Sequence, residues 1–162
     1  MKEPQLTVVD EFQVVGIETV TSDEREEMFS QARLGMLWST FFSEKVEEKI
    51  PNRKNDQEYF GVYGDYDMEP TSDTYGQYTV DACCEVLKID EVPDGMVGIS
   101  VPSGNYLVFE FQGDMADVAK QAWNDIMDFF EGNKTYSRAF TTDFEIYRKD
   151  KPGEVRIFVA VQ

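Results

Sequence analysis

Apolar and polar residues alternate with a period of two in six stretches of this chain, and two intervening stretches carry the 3.6-residue spacing of a helix. Leu6 to Val20, rich in valine, reads as the first strand, with Val15 and Ile17 on one side and Val14, Gly16 and Glu18 on the other. Thr21-Ser22-Asp23 then offers capping side chains before an acidic turn, Glu24-Arg25-Glu26-Glu27, which suits the positive end of a helix dipole. The helical region predicted there runs to about Glu48 and is divided or bent at Gly35, because an interior glycine costs about 1 kcal/mol relative to alanine. Met36, Leu37, Trp38, Phe41, Phe42 and Val46 form its apolar stripe, and Ile50-Pro51-Asn52 ends it. Two strands follow. Glu58 to Tyr63 sets Phe60 and Val62 against Tyr59 and Tyr63, and Tyr78 to Lys88 presents Val80, Ala82, Cys84 and Val86 to a core.

Val92-Pro93-Asp94-Gly95 is a turn-rich break at the middle of the chain, after which the order repeats. Asn105 to Gln112 is a strand with Leu107, Phe109 and Phe111 on one face and Tyr106, Val108 and Glu110 on the other. A helix is predicted from Gly113-Asp114 to Gly132, its stripe made by Met115, Val118, Ala119, Ala122, Trp123, Ile126, Met127 and Phe130. A hairpin closes the chain. Its first strand holds Asp143-Phe144-Glu145-Ile146-Tyr147, and its second puts Val155, Ile157, Val159 and Val161 on the core side, with Arg156, Phe158 and Ala160 opposite. The predicted fold class is therefore α+β, with duplicated β-α-β-β units forming an antiparallel sheet arrangement, two main helices and a central ligand cleft where the units meet. One domain is expected over residues 1–162, with pseudo-repeats at about 5–90 and 96–162.

Charge narrows the range of partners. Lys and Arg number 15 against 32 Asp and Glu, a formal charge of −17 that repels phosphate backbones and anionic membranes. Direct nucleic-acid binding is excluded on that ground, and a cationic ligand or a basic protein partner is favoured. There is no histidine, so Ser-His-Asp and Cys-His catalysis and imidazole zinc sites drop out. The adjacent Cys83 and Cys84, with Cα atoms about 3.8 Å apart, are closer than a disulfide usually spans and are expected as buried thiols in a reducing compartment. The loop from Gly64 to Gly76 carries Asp65, Asp67, Glu69 and Asp73 but lacks the glycine and terminal glutamate of a calcium-binding EF-hand, so a solvated acidic loop is expected, with no metal and no cofactor. No signal-peptide pattern and no apolar run of about 20 residues is visible, which predicts a cytoplasmic protein with no membrane span.

Alternation leaves two readings of Glu145 open. It is an ordinary solvent-facing glutamate, or it shares a face with Tyr147 and Phe158 as a carboxylate among aromatics, able to receive an apolar cation. Trp38 and Trp123, on apolar helix stripes, read by themselves as core.

Several runs resemble the GyrI-like, or AraC-type, effector-binding domains. They are Gly35-Met36-Leu37-Trp38-Ser39-Thr40-Phe41-Phe42, Ile50-Pro51-Asn52 and Tyr59-Phe60-Gly61-Val62-Tyr63, then Gly104 to Phe109, Gly113, Trp123 with Ile126, Asp143 to Tyr147, and Val155 to Val161. The resemblance covers nearly the whole chain, in order, and is similar to stand-alone members, those encoded in integron cassettes in particular. One departure is Ala160-Val161, where many members end in a Pro-Ile pair. The resemblance implies binding of bulky, lipophilic, cationic aromatic compounds, with Glu145 neutralising the cation and Tyr63, Tyr147 and Phe158 as aromatic walls; Trp38, Tyr106 and Trp123 are further candidates. It also implies two alternatives. One is a small-molecule hydrolase using Glu145 as general base with Tyr63 or Tyr147 orienting the substrate, and the other is an acidic surface that engages a transcriptional or DNA-handling protein such as gyrase.

Overall fold

The computed structural model describes residues 2–28, 32–114, 117–133 and 135–162. Its elements run β1 (Gln5–Val9), β2 (Phe12–Ser22), α1 (Asp23–Glu27), α2 (Leu34–Ser43), α3 (Val46–Lys49), β3 (Glu58–Gly64), β4 (Gln77–Val86), β5 (Val97–Val101), β6 (Gly104–Gln112), α4 (Val118–Gly132), β7 (Asp143–Arg148) and β8 (Glu154–Ala160). The fold is mixed α+β, as expected, on one eight-stranded sheet of order β1-β6-β8-β7-β3-β4-β2-β5. Every pair in it is antiparallel. Among the described residues no helix is long and apolar enough to cross a membrane.

Connectivity forces the sheet to curl. β1 lies six strand spacings from β2, roughly 29 Å in a flat sheet, yet only Asp10 and Glu11 join them, and Val9 to Phe12 spans at most about 11 Å. Pro102-Ser103 makes the matching short passage from β5 to β6 at the other edge. The strand expected from Leu6 to Val20 is thus two strands that change partner at Asp10-Glu11, β1 pairing with β6 and β2 with β4 and β5. β5, five residues between two proline-bearing breaks, had no counterpart in the sequence reading.

The helical region expected from Glu24 to Glu48 is three helices, and Gly35 lies inside α2 instead of dividing it. Ser22 caps α1 through its hydroxyl, which accepts from the Arg25 N–H at 3.1 Å. Glu26 of α1 then accepts the N–H groups of Arg33 at 2.8 Å and Leu34 at 3.2 Å, so one helix supplies the cap that the start of the next lacks. Lys45, at φ 51°, makes the break before α3. Residues 29–31 of the expected helix lie outside the described residues, as does Met115; α4 itself starts at Val118.

Both faces of the sheet are covered. Inside the curl pack Val14, Phe60, Val62, Cys83, Val101, Tyr106, Val108, Phe144, Phe158 and Ala160. Outside, Leu37, Phe41, Val46 and Ile50 of the α2–α3 region pack on β2, β3 and β4, and Val118, Ala122 and Ile126 of α4 pack on β6 and β8. The central pair β3–β7 is left between the two helical layers.

Candidate functional site

The groove between α2 and α4, floored by β3 and β7, has a volume of about 720 Å³, within the range of roughly 300–1,000 Å³ usual for small-molecule clefts. Its walls are aromatic. Trp38 and Phe42 come from α2, Tyr59 and Tyr63 from β3, Trp123 from α4 and Tyr147 from β7, while Met68, Tyr75, Met127 and Phe140 stand exposed at the rim. Tyr59 stacks on Tyr147 at 5.2 Å between centroids, Trp38 meets Tyr147 edge-on at 5.6 Å, and Trp123 leans on Tyr63 at 5.2 Å.

Glu145 sits on the floor and is 1% exposed. Its Oε1 accepts the Tyr147 hydroxyl at 2.9 Å, and its Oε2 accepts the Trp123 indole N–H at 2.7 Å and the Tyr63 hydroxyl at 3.1 Å. Register explains the room it has. Gly61 of β3 is the direct cross-strand neighbour of Glu145, and a Cβ on Gly61 would lie 2.5 Å from Oε1 and 3.2 Å from the Trp38 ring. Burial raises the Glu145 pKa, and the hydrogen bonds from Trp123, Tyr147 and Tyr63 oppose that rise. The same burial, with the Glu145 charge nearby, pushes the Tyr63 and Tyr147 hydroxyls well above the usual tyrosine value, so both remain donors. Among the described residues no ion pair reaches Glu145.

Two residues along the same face, Asp143 is 0% exposed and is compensated differently. Arg138 meets it at 2.7 Å, the Tyr66 hydroxyl donates to it at 2.5 Å, and the Ala160 N–H donates to Oδ1 at 2.8 Å. The Arg138 guanidinium also lies 4.3 Å from the Phe140 ring centroid and 5.7 Å from that of Trp123, so the groove wall already holds one cation against aromatic faces.

The structure thus brings Glu145, Tyr147, Tyr63, Trp38 and Trp123 together and leaves Phe158 and Tyr106 apart. Phe158 pairs with Phe144, stacked on it at 4.5 Å, and both face the inside of the curl. The face it was expected to share with Glu145 is corrected by the hairpin register, which sets Ile157 opposite Glu145. Tyr106 lies on the same inner side, edge-on to Phe144, with its hydroxyl donating to the Pro102 carbonyl at 2.8 Å. Tyr59, Tyr66, Arg138 and Phe140 line the groove and Gly61 stands against Glu145 from the neighbouring strand, and the sequence reading did not single them out. Tyr59 shares the alternation of Tyr63 and was readable from it; Arg138 and Phe140 lie in an irregular stretch with no period to read. In the acidic loop, Asp67 accepts the Ser72 hydroxyl at 2.6 Å, the Thr74 hydroxyl at 2.5 Å and the Glu69 N–H at 3.1 Å. Among the described residues no group of three potential metal ligands comes together.

The described residues thus form a curled antiparallel sheet with helices on its outer side and an aromatic groove above a buried glutamate. Residues 5–161 match the model of the Cass2 family of integron-associated effector-binding proteins, and the chain belongs to that family. It is similar to the crystal structure of an integron cassette protein from the mobile metagenome of Vibrio cholerae, with 28% identity over 99% of this chain and 97% of that one and a TM-score of 0.81. The fold is also shared with SAV2435 bound to tetraphenylphosphonium (18% identity, 99% and 94% coverage, TM-score 0.77) and with the C-terminal domain of EcmrR (16% identity, 99% and 97% coverage, TM-score 0.63). No curated protein sequence matches the chain.

Proposed function

We propose that this protein is a receptor for bulky lipophilic cations with aromatic or other apolar bodies, serving effector or multidrug sensing or sequestration in the manner of GyrI-like and AraC-type ligand-binding domains. The observation that carries the proposal is Glu145, a carboxylate buried on the groove floor among aromatic side chains and held by three neutral donors. Burying a charge without a counter-ion is costly, and a ligand cation above the floor returns the missing compensation. Each aromatic face adds about 0.5–2 kcal/mol of cation–π attraction while tolerating many ligand outlines, so charge is selected more sharply than shape. The tetraphenylphosphonium held by SAV2435 supports such a ligand class. With both oxygens engaged by donors, Glu145 is better suited to holding a charge than to taking a proton from water, which puts binding ahead of the hydrolase alternative. In this proposal the protein acts in the cytoplasm and passes its signal to a transcriptional or DNA-handling partner whose basic surface complements the net charge of −17.

Calorimetric titration with tetraphenylphosphonium tests the assignment. Wild type is expected to bind, and Glu145→Gln to lose about 2 kcal/mol or more, roughly 30-fold in affinity. Unchanged affinity in the variant would overturn it.

A further inference from the structure

We infer that the groove selects cations that carry no N–H groups, such as quaternary ammonium, phosphonium or sulfonium centres, over protonated amines of the same ring system. The inference rests on the receptor reading above and concerns how the charge on Glu145 reaches the ligand.

A carboxylate offers about four lone-pair positions. Three of those on Glu145 are taken by Tyr147, Trp123 and Tyr63, and Oε1 lies over the bare Cα of Gly61, so its remaining flank faces strand β3. Asp143 has given its acceptors to Arg138, Tyr66 and the Ala160 N–H. Of the other acids lining the groove, Asp23 accepts the Tyr78 hydroxyl and Glu26 accepts the Thr21 hydroxyl and the N–H groups of Arg33 and Leu34, while Glu27 is exposed and Glu154 half-buried, away from the floor that Glu145 occupies. What the deep groove presents to a ligand is aromatic faces in the field of a negative charge. The hydrogen bonds to Glu145 strengthen that effect, because a phenol or indole that donates to an anion is polarised toward greater electron density in its ring.

These conditions treat two kinds of cation differently. A primary ammonium is tightly hydrated, and in the groove it would exchange water for the residual phenol oxygens, leaving N–H groups short of strong acceptors. An onium centre gives up only weakly held water and loses no hydrogen bond. It gains the field of Glu145 and the ring faces together.

The test uses two probes that share one ring system and one charge, (naphthylmethyl)trimethylammonium and naphthylmethylammonium. Wild type is expected to prefer the first by roughly ten-fold or more. Extra methyl burial contributes to that preference, so the diagnostic quantity is its change in Tyr147→Phe and Tyr63→Phe, each of which frees one acceptor position on Glu145. The preference should fall by about three-fold or more in at least one of them, through a gain for the primary ammonium. Melting curves establish that each variant is folded. Equal affinities in wild type, or a preference unmoved in both folded variants, would overturn the selection while leaving the receptor intact. Binding of neither probe, or affinities that survive Glu145→Gln, would overturn the receptor reading and this inference with it.

Discussion

Asp143 and Glu145 stand two residues apart on one strand, point to the same face and are equally buried, yet the chain treats them oppositely. Asp143 receives a guanidinium from Arg138, two further donors and no share of the open groove floor. Glu145 receives neutral donors only, and the space above it is the groove. Where the chain provides its own cation, at Asp143, the carboxylate is structural; at Glu145 it provides none, and in the receptor proposal that compensation is left to a ligand. Breaking a buried ion pair by removing one partner costs about 3–5 kcal/mol, because a charge remains uncompensated. Arg138→Met is therefore expected to destabilise by about 3 kcal/mol, a fall in melting temperature of roughly 6–12 °C for a chain of this size, with most of it restored by adding Asp143→Asn. Glu145→Gln should stay within about 1 kcal/mol of wild type in the same unliganded melt, since a tyrosine hydroxyl can turn from donor to acceptor toward the new amide. A loss below 1 kcal/mol in Arg138→Met, or a large one in Glu145→Gln, would erase the contrast.

Gly61 sharpens the comparison from the opposite strand. It faces Glu145 in register, whereas the neighbour of Asp143 in the same ladder is Tyr63. In Gly61→Ala the new methyl, built 2.5 Å from Oε1, displaces the carboxylate from its donors and presses on Trp38. Overpacking of this kind costs about 1–3 kcal/mol, and cation affinity is expected to fall by roughly ten-fold as the floor is lifted into the groove. Titration of tetraphenylphosphonium against the alanine variant reads this directly. Wild-type affinity there would mean that the position of Glu145 is not held by the close approach of β3.

How far the sequence alone could go follows from these residues. Alternation puts Glu145 and Tyr147 on one face of β7, and the β3–β7 register adds Tyr59 and Gly61 beside them. The class of fold was legible because six alternating stretches and two helical ones leave few ways to cover a sheet. Phe158 was not placeable, because relating the faces of β7 and β8 requires the hairpin register, and a slip of one residue exchanges every side chain between faces. Polarity could not correct the slip, since the inside of the curl and the helical side are both apolar. The change of partner at Asp10-Glu11 was hidden for a related reason: a run of valines records burial but not which strand lies alongside. Arg138 and Phe140, which close one wall, belong to an irregular stretch in which Phe140 takes a left-handed φ of 55°, and no periodicity announces such a position.

A third buried carboxyl shows another solution and gives the smallest expected effect. Asp81 of β4 is 1% exposed and shares its parity with Cys83, so it faces the inside of the curl, where its strand neighbours are Glu18 of β2 and Val62 of β3. Among the described residues it has no paired cation, and its Oδ1 has no hydrogen-bond partner. Burial, a hydrogen bond with Glu18 and the charges of Glu18 and Asp65 push its pKa up to about 8, so Asp81 keeps its proton. In the unfolded chain the same carboxyl titrates near its ordinary value of 3.8. Between these limits the folded protein holds a proton that the unfolded chain releases, so the stabilisation is full at and below about pH 4 and is lost as pH rises through about 8. Asp81→Asn retains an amide donor for Glu18 and cannot ionise. Its stability relative to wild type should rise across that window, reaching a gain of about 1–2 kcal/mol above pH 8, a fraction of the roughly 1.4 kcal/mol per unit that linkage permits. Urea denaturation of both proteins at pH 5, 7 and 9 measures the difference, and a difference constant across the three would refute a proton held by Asp81. Cation affinity should not change in this variant, because Asp81 and Glu145 lie on opposite faces of the sheet and only one of them faces the groove.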